Sequence, residues 1–297
     1  VKVPFFIMLL VTIMTLILGW IIIDKGAKGI RNSSIFGFQS TTKVYSRMIN
    51  AWLKQAMIIS DSIASGFIDI RTHLALNTEE TRVVAENTLK NIAANNKEIE
   101  VAVIFNLQGR PILDSINGRF INSSSIPNFR ETQLWGKVIS GETSMYHTAI
   151  ASPLEDGKWL IEIFSPVKNS LGNIIGVVSV MVDWHSFIDK ELDLIKFGNT
   201  GHPFIVDSDR LVIADPIPSH IRNKVLQEAD YIKYARENES GYYEFKSPFN
   251  GKESIATFNR EPISDWAVVM SIESEELFAN TYSMIKYAII GTIVILI

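Results

Sequence analysis

Two uncharged, strongly apolar stretches frame the chain. The first, at residues 3–23, would cover about 30 Å as a helix at ~1.5 Å per residue, which matches the thickness of a bilayer core. The second, at residues 287–297, is about half as long as a membrane span requires. We therefore predict a transmembrane helix at residues 1–23. We also predict the start of a second one at residues 284–297, which we expect to continue into a cytoplasmic part.

The first stretch fits an uncleaved anchor better than a cleavable signal peptide. Its apolar part is longer than the ~7–15 residues of a signal core. The residues that follow, beginning with Asp24 and Lys25, contain no small-x-small cleavage site. We therefore expect a multi-pass protein of the inner membrane, with residues 24–283 outside the cytoplasm.

Residues 24–72 carry the pattern of a long amphipathic helix. Apolar residues recur at steps of four and three between residues 44 and 67, which forms one stripe along a helix. This pattern predicts a stalk helix that continues from the first membrane span. Because the stripe is long and includes Trp52, we expect it to serve partly as core and partly as the face of a parallel homodimer. A second helix is predicted at residues 79–95, opened by a cap at Asn77-Thr78.

Short β-branched strands then occur in two groups with the same order. Residues 73–190 contain two strands, a polar loop with a short helix, and three more strands, and residues 191–283 repeat this order at smaller scale. The predicted strands are 100–105, 111–114, 143–151, 158–167 and 174–182, then 202–207, 210–214, 242–247, 254–259 and 266–272. The helices predicted among them are 129–140, 185–195, 220–236 and 273–286. The pattern indicates an α+β fold with a long N-terminal helix and two modules, each with a five-stranded antiparallel sheet and helices on one side.

The composition excludes several classes of function. With 28 basic and 32 acidic residues the net charge is −4, and no run of lysine or arginine supplies the basic stripe that nucleic acid requires. There is no cysteine, and hence no disulfide framework. The motifs of phosphate-binding loops, zinc proteases and serine hydrolases are absent, and no two of the five histidines are spaced for a helix-borne metal pair. We therefore expect neither catalytic activity nor a metal or cofactor.

A set of short motifs follows a fixed order along the chain. They are VIFNLQG at 103–109, Arg130, SPV at 165–167, LGNIIGV at 171–177 and Asp183, then GNTG at 198–201, FIVD at 204–207, LVIADP at 211–216 and DWAVV at 265–269. This ordered set resembles the double Cache sensor domain of bacterial transmembrane receptors over residues 25–283. The resemblance implies two PAS-like modules, one membrane-distal at 73–190 and one membrane-proximal at 191–283. It also implies a methyl-accepting chemotaxis domain beyond the second span, with histidine kinase and diguanylate cyclase outputs left open.

The resemblance further implies a ligand site in the distal module. In that family an arginine at the place of Arg130 faces the pocket and forks onto a ligand carboxylate, which a planar guanidinium fits. An aspartate at the place of Asp183 accepts hydrogen bonds from a ligand amino group, although an N-cap for the next helix explains Asp183 equally well. The Trp-Tyr pair of amino-acid-binding members does not follow Arg130, and Trp135 comes late. A small carboxylate or another small polar metabolite therefore stays open as the ligand.

Three further candidates, Trp135, Tyr146 and Glu162, come from the residue pattern. Glu162 interrupts an apolar strand, so it lies either in a polar pocket or on a solvated sheet face, and we expect the solvated face. If it faced the pocket, Glu162 and the two aromatic rings would suit a cationic ligand. The sequence thus predicts a small-molecule sensor in the membrane with cytoplasmic signalling partners. An anchored extracytoplasmic enzyme and a ligand-free adhesion module are the rival classes.

Overall fold

Two antiparallel β-sheets lie along one long N-terminal helix, and the predicted α+β fold is confirmed. The computed structural model describes residues 2–116, 118–119, 132–192 and 197–296. The helices are α1 (Lys2–Gly66), α2 (Ile68–Leu76), α3 (Glu79–Asn95), α4 (Gln133–Ile139), α5 (Trp184–Phe187), α6 (Lys224–Gln227), α7 (Asp230–Glu237), α8 (Ser274–Leu277) and α9 (Ala279–Leu296). The first sheet contains β1 (Ile99–Phe105), β2 (Pro111–Asp114), β3 (Gly118–Arg119), β4 (Ser144–Met145), β5 (Ile150–Ala151), β6 (Trp159–Lys168) and β7 (Ile174–Asp183). The second contains β8 (His202–Val206), β9 (Val212–Ala214), β10 (Ser240–Lys246), β11 (Glu253–Arg260) and β12 (Ala267–Glu273).

Helix α1 is a single helix of 65 residues that joins the apolar N-terminal stretch to the stalk. Near its start, large apolar side chains such as Trp20 and Ile22 are exposed, whereas Leu53 and Ile63 are buried in the core between α1 and the sheets. Within the described residues, α1 is the one helix long and apolar enough to cross a membrane. The helix ends at Gly66 because Phe67 adopts an extended conformation, and α2 starts anew after it. The helical pattern predicted up to residue 72 is therefore divided.

The first sheet has the strand order β3-β2-β1-β7-β6-β4, with β5 also paired to β6. Residues 143–151, predicted as one strand, form the two short strands β4 and β5, so the sheet has seven strands rather than five. One face is covered by the N-terminal helices and contains Ile104 and Val180. The opposite face is covered by α4 and contains Val103 and Phe164. Both faces of this sheet are thus buried, by different elements.

The second sheet has five strands, in the order β10-β11-β12-β8-β9. The helix predicted at residues 220–236 is divided into a 3-10 turn at Pro218–His220 and the short helices α6 and α7. Arg222 has a φ of 54°, a left-handed conformation that a continuous helix cannot contain. Asn223 then caps α6 by accepting a hydrogen bond from the Val225 N–H. The chain therefore turns at the point where one helix was expected.

An aromatic cluster joins the two sheets to α1. Trp52 of α1 packs on Trp184 with 5.4 Å between ring centroids, and Trp184 packs on Trp266 at 5.2 Å. Two of these indoles donate hydrogen bonds between the two modules. The Trp184 N–H donates to the Ile213 carbonyl at 3.1 Å, and the Trp266 N–H donates to the His147 carbonyl at 2.8 Å. Because Trp184 follows β7 and Trp266 precedes β12, a shift of either sheet displaces side chains linked to α1.

Candidate ligand-binding site

One face of the first sheet carries a buried carboxylate. Glu162 in β6 points to the side covered by α4, as its alternate neighbours Leu160 and Phe164 do. Its side chain is 0% exposed, so the predicted solvated face is wrong. Strand alternation separates Glu162 from Ile161 and Ile163. The face that carries Glu162 is buried because α4, an element distant in sequence, covers it.

Only one of the two Glu162 oxygens is hydrogen-bonded within the described residues. The Ser179 hydroxyl on β7 donates to Oε1 at 2.5 Å, whereas Oε2 is buried without a partner. Burial raises the pKa of Glu162 to about 7. The hydrogen bond from Ser179 acts in the opposite direction but is the smaller effect. A buried carboxylate without a counter-charge is energetically unfavourable. Near neutral pH this group therefore gains from either a proton or a cationic partner.

Two aromatic side chains share this face with the carboxylate. Helix α4 begins after Thr132, whose hydroxyl accepts the Trp135 N–H at 3.2 Å. The Trp135 ring is buried edge-on to Phe105, and its Nε1 has no hydrogen-bond partner in the described part of the chain. Tyr146 donates its backbone N–H to the Glu162 carbonyl at 2.8 Å, and burial followed by the charge of Glu162 raises the pKa of its phenol. The structure thus brings Trp135, Tyr146 and Glu162 to one face of the sheet.

Asp183 closes β7 and serves as the N-cap of α5. Its carboxylate accepts hydrogen bonds from the Ser186 N–H at 2.9 Å and the Ser186 hydroxyl at 2.7 Å, and lies 3.0 Å from Lys158 Nζ. Burial opposes ionisation, but the contacts with Ser186 and Lys158 outweigh it and lower the pKa of Asp183. The described contacts of Asp183 are thus those of an N-cap and an ion pair, and its ligand contact stays a prediction. Arg130 lies outside the described residues, so its contact with a carboxylate also stays a prediction.

Lys158 is a charged residue at the end of the same face that the sequence pattern did not single out. Its ammonium contacts Glu100 at 2.5 Å as well as Asp183, and the hydrogen bond with Glu100 raises its pKa. It lies four positions before Glu162, which is about 13 Å along a strand. A lysine directly before a strand carries no local signal of function. Only the structure shows that Lys158 lies between the carboxylates of Glu100 and Asp183.

One group of side chains within the described residues could hold a metal ion. It consists of His202, Asp215 and His220, and it belongs to the second sheet and the turn that follows β9. No spacing along the sequence predicts this group, because the two histidines are far apart along the chain. The pairing of β8 with β9 and the following turn bring them together.

A family model of the Cache domain matches residues 27–281. The chain belongs to the Cache domain family. The resemblance seen in the sequence is therefore confirmed, and with it the sensory, ligand-binding role that it implied. No curated protein matches this Cache domain in sequence.

Solved structures share the fold of this Cache domain at low sequence identity. The extracellular domain of a protein described as a histidine kinase is 19% identical, with a TM-score of 0.60 over 82% of this chain and 99% of that one. The ligand-binding domain of the amino-acid chemoreceptor PctB of Pseudomonas aeruginosa PAO1, solved with L-arginine, is 14% identical, with a TM-score of 0.58 over 82% and 97%. That of the Pseudomonas fluorescens chemoreceptor CtaA, solved with L-isoleucine, is 14% identical, with a TM-score of 0.59 over 85% and 97%. At these identities the likeness shows the fold alone.

Proposed function

We propose that this Cache domain is the extracytoplasmic sensor of a transmembrane chemoreceptor. Its distal module, residues 73–190, binds a small ligand through a protonated amine. The observation that carries the proposal is the fully buried Glu162 with one oxygen left without a partner in the described part of the chain. The module binds a ligand and does not transform it.

Amine binding compensates the buried charge of Glu162. An ammonium group offers several N–H donors, and a hydrogen bond to a charged group contributes roughly 1.5–3 kcal/mol. The rings of Trp135 and Tyr146 add cation–π attraction of about 0.5–2 kcal/mol. Trp135 Nε1, which has no partner among the residues described, is a donor for an acceptor atom on the same ligand. The site thus suits a ligand with a cationic end and a polar acceptor.

A carboxylate on the same ligand has separate candidate partners. Arg130 is the partner predicted from the resemblance, and Lys158 is a cation at the end of the described face. Both L-arginine and L-isoleucine, the ligands of PctB and CtaA, carry an amine and a carboxylate. These observations support an amino-acid-like ligand. The second candidate is a small carboxylate without an amine, which Arg130 would bind.

Strand β6 links the proposed site to the stalk. On one face it carries Glu162, and on the other the hydroxyl of Ser165 lies 2.7 Å from that of Ser60 in α1. Helix α1 also contacts the second sheet, where the Thr42 and Thr257 hydroxyls are 2.5 Å apart. Ligand binding would shift β6 against α1, and the shift would reach the membrane through α1 and α9. The ligand can do this only through different affinities for the two arrangements.

The proposed receptor crosses the membrane twice and forms a homodimer. Residues 24–283 lie outside the cytoplasm, the chain crosses the inner membrane twice, and a methyl-accepting domain follows. A histidine kinase output is the alternative, since one structural neighbour is described as a histidine kinase. A homodimer forms through α1, where Val44 and Ile58 expose apolar side chains two heptads apart.

A matched ligand screen tests the proposal. The full chain in lipid nanodiscs is unfolded thermally with triplets of compounds: an amino acid, the amine that lacks its carboxyl group, and the acid that lacks its amino group. At 100 times its Kd a ligand stabilises the folded state by about 2.7 kcal/mol, which raises Tm by roughly 5–11 °C. We expect the amino acid and the amine to raise Tm and the acid to have no effect. A rise with acids alone would overturn the amine assignment, and no rise with any compound would contradict an amino-acid-like ligand.

A further inference from the structure

The proximal module contains a small cavity that is independent of the distal site. Its volume is about 100 Å³. Pockets for organic ligands measure about 300–1,000 Å³, whereas a water molecule takes up about 30 Å³. The cavity therefore has the size of an ion with a few water ligands rather than that of an amino acid.

Three metal-ligating side chains converge on this cavity. His202 lies in β8, Asp215 directly follows β9, and His220 ends the 3-10 turn. One ligand atom from each lies within 4.8 Å of the others. His220 Nδ1 is 2.9 Å and His202 Nε2 is 3.9 Å from the Asp215 carboxylate. Ligand atoms at ~2.0–2.2 Å from one zinc ion lie about 3.4 Å apart in a tetrahedron, so side-chain movements of about 1 Å suffice.

The surroundings orient these side chains for coordination. His202 Nδ1 lies 3.3 Å from the Thr200 carbonyl. When Nδ1–H donates there, Nε2 is left with a free electron pair toward the cavity, which is the usual arrangement of a metal-binding histidine. The His220 ring stacks on Phe249 with 4.4 Å between centroids and 13° between planes. Asp215 is almost fully buried. The three ligating groups are thus held in place by packing and hydrogen bonding.

The charge of the cavity favours a cation over an anion. Asp215 and Glu273 are its acidic lining residues, and no lysine or arginine among the described residues lines it. Glu273 is paired with Lys252 at 2.7 Å, which leaves Asp215 as the charge that faces the histidines. A carboxylate ligand would meet this negative charge, whereas a divalent cation would neutralise it.

We propose that His202, Asp215 and His220 bind one divalent transition-metal ion such as Zn²⁺. Two imidazoles and one carboxylate form the donor set of open zinc sites and of ferrous sites, whereas Mg²⁺ and Ca²⁺ prefer oxygen ligands alone. Coordination through His220 Nδ1 requires the imidazole proton to lie on Nε2. Three protein ligands leave at least one position for water or for an external ligand.

The metal site is connected to the helix that leads toward the second membrane span. The Thr200 N–H and hydroxyl donate to the Glu276 carboxylate of α8 at 2.8 and 2.6 Å. Helix α8 is followed directly by α9. An ion that fixes His202 therefore also fixes the loop around Thr200 against α8. Metal availability would in this way set the mobility of the membrane-proximal end of the sensor.

Zinc titration of the full chain tests the proposal. The protein is purified in nanodiscs without a polyhistidine tag, freed of metal with a chelator and titrated with Zn²⁺ by calorimetry. We expect one ion per chain and no binding of Mg²⁺. Asp215→Asn and His220→Ala should weaken Zn²⁺ binding by at least the ~10–100-fold that loss of an outer-shell partner costs. His185→Ala is the matched control, because this half-exposed histidine lies outside the cluster and its loss should leave the affinity unchanged.

A folding control and a spectroscopic measurement decide whether a result supports or contradicts the metal site. Thermal unfolding in the presence of chelator shows whether each variant folds. Absence of Zn²⁺ binding, or equal Zn²⁺ affinity in the unsubstituted chain and both folded ligand variants, would overturn the proposal. If a variant does not fold, the visible spectrum of the Co²⁺-loaded unsubstituted chain decides. Absorption typical of nitrogen and oxygen ligands at low coordination number supports the site, and the spectrum of hydrated Co²⁺ contradicts it.

Discussion

Replacement of Glu162 by glutamine should stabilise the ligand-free protein at neutral pH. Glutamine keeps the size of the side chain and can still accept the hydrogen bond from Ser179, but it carries no charge. The pKa of Glu162 is raised from 4.5 to about 7 by burial. Below about pH 4.5 the carboxyl group is protonated in the folded and the unfolded chain alike, so the two proteins should be equally stable. Between pH 4.5 and 7 the unfolded chain releases the proton first, and the stability of the unsubstituted protein falls.

The size of the effect follows from the two pKa values. The difference between 4.5 and about 7, at ~1.4 kcal/mol per pH unit, amounts to about 3 kcal/mol above pH 7. For a folded region of this size that corresponds to a Tm higher by roughly 6–12 °C in Glu162→Gln. The gap should close as the pH falls toward 4.5.

Thermal unfolding of the full chain in nanodiscs at pH 4.5, 6 and 8 measures this gap. Glu98→Gln is the matched control, since Glu98 is an exposed carboxylate of the same module. Its Tm should follow that of the unsubstituted protein at every pH. Equal Tm values of Glu162→Gln and the unsubstituted protein at pH 8 would refute the buried, uncompensated carboxylate, as would a gap that widens toward acid pH.

Three further predictions concern the stalk, the ligand and the assembly. Ser60→Ala should lower the free energy of unfolding by about 0.5–1.5 kcal/mol, and a double-mutant cycle with Ser165→Ala should show coupling; strictly additive effects would contradict the contact. Arg130→Ala should weaken the calorimetric affinity of a carboxylate-bearing ligand about ten- to hundredfold and leave the ligand-free Tm unchanged; an unaltered affinity would place the carboxylate elsewhere. A cysteine at Ile58 should cross-link two subunits in membranes, whereas one at the buried Leu53 should not. Equal cross-linking at both positions would argue against a dimer through α1.

Local signals explain which elements could be predicted from the sequence. Helix α3 occupies the predicted range because Thr78 forms a capping box with residues close to it in the chain. The break at Arg222 has non-local causes. Its guanidinium donates to the Ala149 carbonyl at 2.6 Å and lies 4.4 Å above the Trp159 ring. No pattern near residue 222 encodes these partners, so the sequence predicts one helix where the chain forms a turn and two short helices.

The candidate site, like the fold, could be predicted only in part from the sequence. Period-two alternation identifies Glu162 as an anomaly within β6, and this much is visible in the sequence. Its burial depends on α4, which contributes Trp135 from elsewhere in the chain. The group of His202, Asp215 and His220 depends on a hairpin and the turn after it, so no spacing rule for a single helix detects it. A pattern along one segment cannot predict which side chains of separate elements come together in the folded protein.

The pH dependence of ligand affinity tests most directly whether Glu162 is the counter-ion of a bound amine. An amine with a pKa near 10 stays protonated between pH 5 and 8, whereas a carboxyl group of pKa about 7 is ~1% ionised at pH 5 and ~90% ionised at pH 8. Calorimetry with the best amine of the screen should therefore show roughly hundredfold tighter binding to the unsubstituted chain at pH 8 than at pH 5. Glu162→Gln should bind it more weakly and with no such dependence on pH. Equal affinity at the two pH values, or undiminished binding to Glu162→Gln, would contradict the account.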